Sequence, residues 1–267
     1  MKTNVRPWAI LLLVASICAT SVPVAFAAEG EPRPHFVWTF EDCVKPGQME
    51  AYMKARVQDA KLCAQHKFEF AFVTCVNAFQ VSTHGIFEQF AQIDGFPQKM
   101  EVWNEKTGGK SKQLEEQIAP CVSHSSGRIS VFRPDLSYVP DNPAFTPDFS
   151  QPFYQMMVVY HVKPDKYEQA QAVAKRIKEV NERKQAPRGY SMYERLCGEE
   201  VPALVVVMHA KDKAAFVNLD KKMQEDPDKE IEKILTENVH LLRKIETTEG
   251  TFVPEASYVP EGTFGDN

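Results

Sequence analysis

The chain writes F-R-P-D-L-S-Y-V-P at Phe132 to Pro140 and F-V-P-E-A-S-Y-V-P at Phe252 to Pro260. A second pair of anchors stands at nearly the same spacing: Val44-Lys45-Pro46 recurs as Val162-Lys163-Pro164. Solenoid repeats recur every 20–50 or so residues; a period above one hundred marks a duplicated domain.

Each copy spells the same order. Phe36 to Cys43 and Tyr154 to His161 are rich in aromatic and β-branched residues and read as strands. After V-K-P, Tyr167, Ala170, Val173, Ala174, Ile177 and Val180 fall at helical spacing; Met49, Tyr52, Met53, Val57, Ala60 and Ala64 do so more weakly. Two strands follow in each copy, Phe68 to Cys75 with Ala78 to His84, and Tyr190 to Leu196 with Ala203 to His209. A second helical region comes next, broken by G-F-P and T-G-G-K in the first copy and by Pro227 in the second. A last strand then leads into each S-Y-V-P. The order β-α-β-β-α-β predicts an α+β fold of two tandem ferredoxin-like units. Each exposes one sheet face that must be buried, and the other copy is the natural partner. The units are expected at 33–140 and 153–260, with a Pro-rich linker at 141–152 and a tail at 261–267. The repeated ending is expected to follow each last strand, with Pro stopping extension and Tyr and Val clamping the neighbouring unit.

The N-terminus has the pattern of a secretory leader: Lys2 and Arg6, an apolar run from Trp8 to Ala19, then Ala25-Phe26-Ala27. Cleavage near Ala27 and a periplasmic or secreted product are expected. No later segment is long and apolar enough to cross a membrane. The formal net charge of −5 argues against a nucleic-acid partner. Five cysteines follow the leader: Cys43, Cys63, Cys75, Cys121 and Cys197. Export favours disulfides, and one or two bridges plus a leftover thiol are expected, the pairing left open. There is no C-x-x-C, H-E-x-x-H, G-x-S-x-G or G-x-G-x-x-G, and no metal site is assigned.

A duplicated unit of this order resembles the dimeric α/β-barrel superfamily, over roughly residues 33–260. The resemblance implies two sheets joined into a barrel. The group includes cofactor-free quinone-forming monooxygenases, haem-degrading enzymes, chlorite-dismutating haem proteins and stress-responsive proteins. The haem group's ligating histidine sits in the second unit, where His209 and His240 are the candidates. The cofactor is otherwise left open.

Alternation marks the side chains expected to face the barrel interior. Phe36, Trp38 and Phe40 share one face, toward helices; Val37, Thr39, Glu41 and Cys43 share the other. The corresponding inward sets are Gln155, Met157, Val159 and His161; Gln80, Ser82 and His84; and Val205, Val207 and His209. Glu41, His84, His161 and His209 are thus candidate catalytic groups for one cavity, as general base and proton shuttle, or as zinc-type ligands. The bland alternative is strand-end histidines that are merely solvated. Trp38 and Trp103 are expected in the core, and His35, His66 and His124 at the surface. Two functions follow: an exported protein holding a small apolar or aromatic ligand in an apolar cavity, or an oxidoreductase of the cofactor-free or haem-dependent kind, which needs polar groups converging on one pocket. A homo-oligomer is compatible with both, and one site rather than two is expected.

Overall fold

The computed structural model describes residues 35–140, 148–225, 228–260 and 263. The expected leader, most of the linker and nearly all of the tail lie outside the described residues. The described ones belong to one compact unit, Pro34–Asn267.

The first copy runs β1 (Phe36–Val44), α1 (Met49–His66), β2 (Ala71–Val76), β3 (Gln80–Phe87), three short helices α2 (Phe90–Asp94), α3 (Phe96–Lys106) and α4 (Lys110–Ile118), then β4 (Val122–Phe132). The second runs β5 (Tyr154–Val162), α5 (Tyr167–Lys184), β6 (Ser191–Cys197), β7 (Ala203–Ala210), α6 (Lys213–Glu225), α7 (Lys229–Asn238) and β8 (Leu242–Phe252). The eight strands close into an antiparallel barrel in the order β1-β3-β2-β8-β5-β7-β6-β4. Each half keeps the ferredoxin-like order, with its first strand between the fourth and the third.

The alternation of the strands decides what the barrel encloses. Trp38, Phe87 and Ile129 point outward and pack with Leu62, Trp103 and Leu114 of the helices. Leu204 and Val206 do the same with Ala170 and Ala174 of α5. The residues between them point inward: polar in the main on β1 and β3 of the first unit, and largely apolar in the second, where Val159, Ala203 and Val205 pack with Met157 and Val207.

The two seams are short. β2 meets β8 through only Cys75↔Phe252 and Val76↔Thr251, and β4 meets β6 from Ile129↔Cys197 to Phe132↔Tyr193. The repeated nonapeptide supplies what these ladders lack. After β4 the chain makes a 3-10 turn, Pro134–Leu136, that delivers Leu136, 1% exposed, into the core of the second unit. Burying one leucine this way contributes roughly 2 kcal/mol. Ser137 Oγ accepts the Met192 N–H at 2.8 Å, Tyr138 exchanges backbone bonds with Tyr190, and the Tyr138 hydroxyl donates to Ala186 O at 3.0 Å. The second copy mirrors this on the first: Ser257 Oγ accepts the Thr74 N–H at 2.9 Å, Tyr258 pairs with Phe72, and its hydroxyl donates to Phe68 O at 3.0 Å. Gly189 is required here, because a Cβ would stand 2.9 Å from Tyr138 O and overlap Pro140 Cδ.

Two expectations need correction. Cys43, Cys63, Cys75 and Cys121 are free thiols rather than disulfide partners; Cys63, Cys75 and Cys121 are buried in separate clusters of the core. His35 and His66 are not surface residues: both are half-buried, His35 stacked on Phe132 at 4.9 Å and edge-on to Tyr193, His66 edge-on to Trp103 at 6.1 Å; His124 is exposed as expected. The counterpart of the His35, Phe132 and Tyr193 trio across the barrel is the cluster of Phe149, Phe153 and Phe252, which closes the other seam.

Candidate functional site

All four candidate side chains lie on inward-facing strand positions, but they do not share one cavity. His84 on β3 stands opposite Thr39 of β1, and its Nδ1 is 3.0 Å from Thr39 Oγ1. His209 on β7 stands opposite Gln155 of β5, and its Nε2–H donates to Gln155 Oε1 at 3.2 Å. β3 and β7 face each other across the barrel. The two histidines are not symmetry mates, however: the position equivalent to Thr39 is Met157, which pairs with Val207. The two rings still come within electrostatic reach of each other in the lumen.

A narrow cavity of about 20 Å³ lies there, bounded by Asn77, Gln80, Ser82, His84, Gln155 and Thr248, with Cys75 and Met157 among its few less polar walls. That is room for about one water molecule. His84 Nε2 is buried and has no hydrogen-bond partner. When Nδ1–H donates to Thr39, Nε2 carries the lone pair. Burial, and then the Arg128 charge, push the His84 pKa down to about 4. Burial, and then His84 itself, push His209 down to about 4. Both rings are therefore neutral at physiological pH.

The cavity sits beside the short β2–β8 seam. Asn77, Glu249 and Gly250 bound both it and an outer groove of about 480 Å³, whose walls include Phe153, Tyr154 and Lys211. A groove of that size suits a small organic ligand.

Glu41 is not a free carboxylate. It pairs with Arg128 at 3.2 Å and accepts from Gln80 Nε2 at 3.4 Å, so it reaches the cavity only through Gln80. His161 is separate from the others. It is 1% exposed, with Nε2 2.6 Å from Glu246 and Nδ1 3.2 Å from Glu200. Among the described residues, His161, Glu200 and Glu246 form the group whose ligand atoms come close enough to hold an ion. Lys244 already contacts both carboxylates of that group. The expected zinc-type set of three histidines and Glu41 does not form, because its members do not come within ligand distance of one another and Glu41 is held by Arg128. Sequence reasoning missed Gln80, Ser82, Gln155 and Thr248 as site residues, although the first three belonged to its inward rows. It missed Arg128 and Arg195 altogether.

Neither haem-ligand candidate fits a macrocycle. His209 is engaged by Gln155 and covered edge-on by Phe153 at 5.2 Å, beside a water-sized space. His240 is exposed on a 3-10 turn, with Nδ1 held by Glu237 O at 2.9 Å.

The second seam differs. The position equivalent to Asn77 is Arg195, and that equivalent to Thr248 is Arg128. Gly198, at φ +115, lets the β6–β7 turn close over this end; a Cβ there would meet Arg128 Cγ at 3.1 Å. One mouth therefore carries amide and hydroxyl groups, with Glu249 at its rim, and adjoins a groove; the other holds two guanidinium groups.

The barrel matches solved structures in its fold. The chain is similar to a candidate monooxygenase from Lactobacillus acidophilus NCFM, at 8% identity and a TM-score of 0.51, over 84% of this chain and 95% of that one. It is similar to an anthrone oxidase-like protein at 12% identity and a TM-score of 0.54, over 88% and 94%. A candidate monooxygenase from Fusobacterium nucleatum gives 11% and 0.51, over 82% and 92%. No protein-family model matches the chain, and no curated protein sequence does. At these identities the likeness is one of fold: the chain has the dimeric α/β-barrel fold, with both units on one polypeptide.

Proposed function

We propose that the protein binds a small aromatic ligand in the groove beside the β2–β8 seam and oxidises it, with His84 as general base. The observation that carries this is the neutral His84 ring, whose shielded Nε2 lacks a partner and which borders a polar, water-sized cavity. The ring is unprotonated and so open to a proton, but burial makes it a weak base; it takes one from a phenolic O–H or an activated ring C–H when the anion left behind stands beside it and restores its basicity. The cavity has room for water or a diatomic such as dioxygen, and the groove has room for the ring system. The balanced reaction is R₂CH₂ + O₂ → R₂C=O + H₂O. The carbon loses two hydrogens and gains one oxygen atom; the second oxygen atom leaves as water.

A simple carrier would use the same groove, whose walls include Val76, Phe153 and Tyr154; what favours an oxidase over it is the unpartnered His84 Nε2 in the adjoining cavity. The names of the fold relatives agree with an oxidase, and they enter as support of that limited kind. Export remains part of the proposal, resting on the leader sequence.

Oxygen uptake and quinone absorbance, measured with anthrone and dihydroxynaphthalenes, test the proposal. Uptake by the wild type, reduced at least about a hundredfold in His84→Gln with an unchanged melting temperature, is expected. Ligand retention without uptake would leave only a carrier.

A further inference from the structure

The guanidinium-filled mouth contains a charge without a counter-ion. Arg195 points inward from β6 and is 7% exposed. Across its two ladders it faces Ala203 and Ser130, both small. A guanidinium has five N–H donors. One of these reaches Glu199 O at a long 3.4 Å, and Nε is buried with no partner.

Three carboxylates lie near enough for their charge to bear on Arg195: Glu246, Glu200 and Glu41. Each is already engaged. Glu41 holds Arg128, Glu246 holds His161 and Lys244, and Glu200 faces His161 and Lys244. Among the described residues, none forms an ion pair with Arg195. The nearby Arg128 adds charge of the same sign. An unpaired buried ion costs several kcal/mol, and water satisfies donors without neutralising the charge.

We propose that Arg195, with Arg128 beside it, forms an anion-binding site inside the β4–β6 mouth of the barrel, for a small oxyanion or a carboxylate. The planar fork of an arginine matches two oxygens of either group. Burial, followed by repulsion from Arg128, lowers the pKa of Arg195, and an arriving anion relieves both. The site does not use His84 and is independent of the oxidase proposal.

Two anions distinguish the sources: inorganic phosphate for a free oxyanion and benzoate for a ligand carboxylate, each against chloride at fixed ionic strength. The readout is the Nε–H resonance of Arg195 in the ¹⁵N-arginine-labelled wild-type protein, so it does not depend on a variant folding. A saturable shift with phosphate, benzoate or both supports the site and tells which chemistry it takes. Arg195→Lys keeps the charge but loses the fork, and should weaken the responding anion about tenfold, as losing one charge-assisted hydrogen bond does. Arg183→Met, at an exposed arginine paired with Glu230, should not change it. No shift with either anion, or a response that Arg195→Lys leaves intact, would overturn the proposal.

Discussion

Ser257, near the end of the second unit, accepts the backbone N–H of Thr74 in the middle of the first, at 2.9 Å. Thr74 returns the contact by donating its hydroxyl to Ala256 O at 2.7 Å. The seam between the halves thus rests on a tail that crosses it, because its strand ladder is only two residue pairs long. Removing the Ser257 hydroxyl strands a buried N–H. Ser257→Ala and its counterpart Ser137→Ala should each lower the stability measured by urea denaturation, by about 1–3 kcal/mol. A loss under 0.3 kcal/mol for both would mean that the tails ride on the barrel rather than close it.

Gly189 gives a sharper test at the other seam. Its Cα lies against the docked Tyr138–Pro140 segment, where a methyl group has no space. Gly189→Ala should cost about 1–3 kcal/mol as the tail is pushed away, and the amide of Tyr190, which donates to Tyr138 O, should lose hydrogen-exchange protection. Unchanged protection at Tyr190 would contradict the docking described.

Acid should weaken the fold through its interior histidines. His84 and His209 are held near pKa 4 against an ordinary 6.5. Above pH 6.5 both are neutral in either state and contribute no pH dependence. As pH falls from 6.5 toward 4 the unfolded chain takes up protons that the folded one refuses, so stability is lost, by roughly 3 kcal/mol for each ring taken alone. His84→Gln/His209→Gln should flatten the pH 4–6.5 slope of the denaturation midpoint. An unaltered slope would place the titrating groups elsewhere.

The thiols should be inert. Burial pushes Cys75 up to about 12 and raises Cys63 as well. In the native protein a disulfide-exchange reagent at pH 8 should leave both unmodified, and both should react at once in denaturant. Rapid native labelling of Cys75, which borders the cavity, would mean that the β2–β8 mouth opens far more than the structure describes.

The duplication was legible because a tail that must dock across a seam constrains its residues: serine to receive an N–H, tyrosine to reach a carbonyl, proline to end the strand. Inward and outward faces were legible too. Trp38 and Phe87 on one side and Thr39 and His84 on the other follow the two-residue period of a strand, and small errors in strand ends do not disturb it. The site was only half legible. Pairing His84 with Thr39, and His209 with Gln155, depends on cross-strand register, which no local pattern carries. The two mouths differ by Asn77 against Arg195 and Thr248 against Arg128, single positions within near-identical frames. The disulfide expectation failed because cysteine count and a leader speak of compartment, whereas spatial separation in the core decides pairing.

The most direct test of the central claim is a ¹⁵N NMR titration of the His84 imidazole at pH 7, with anthrone or a dihydroxynaphthalene added stepwise. The account predicts a neutral ring in the free protein and a ligand-dependent change at Nε2 that saturates. A ring already protonated at both nitrogens, or an Nε2 that ignores every aromatic ligand while the protein binds it elsewhere, would contradict His84 as the base and the groove beside it as the ligand site.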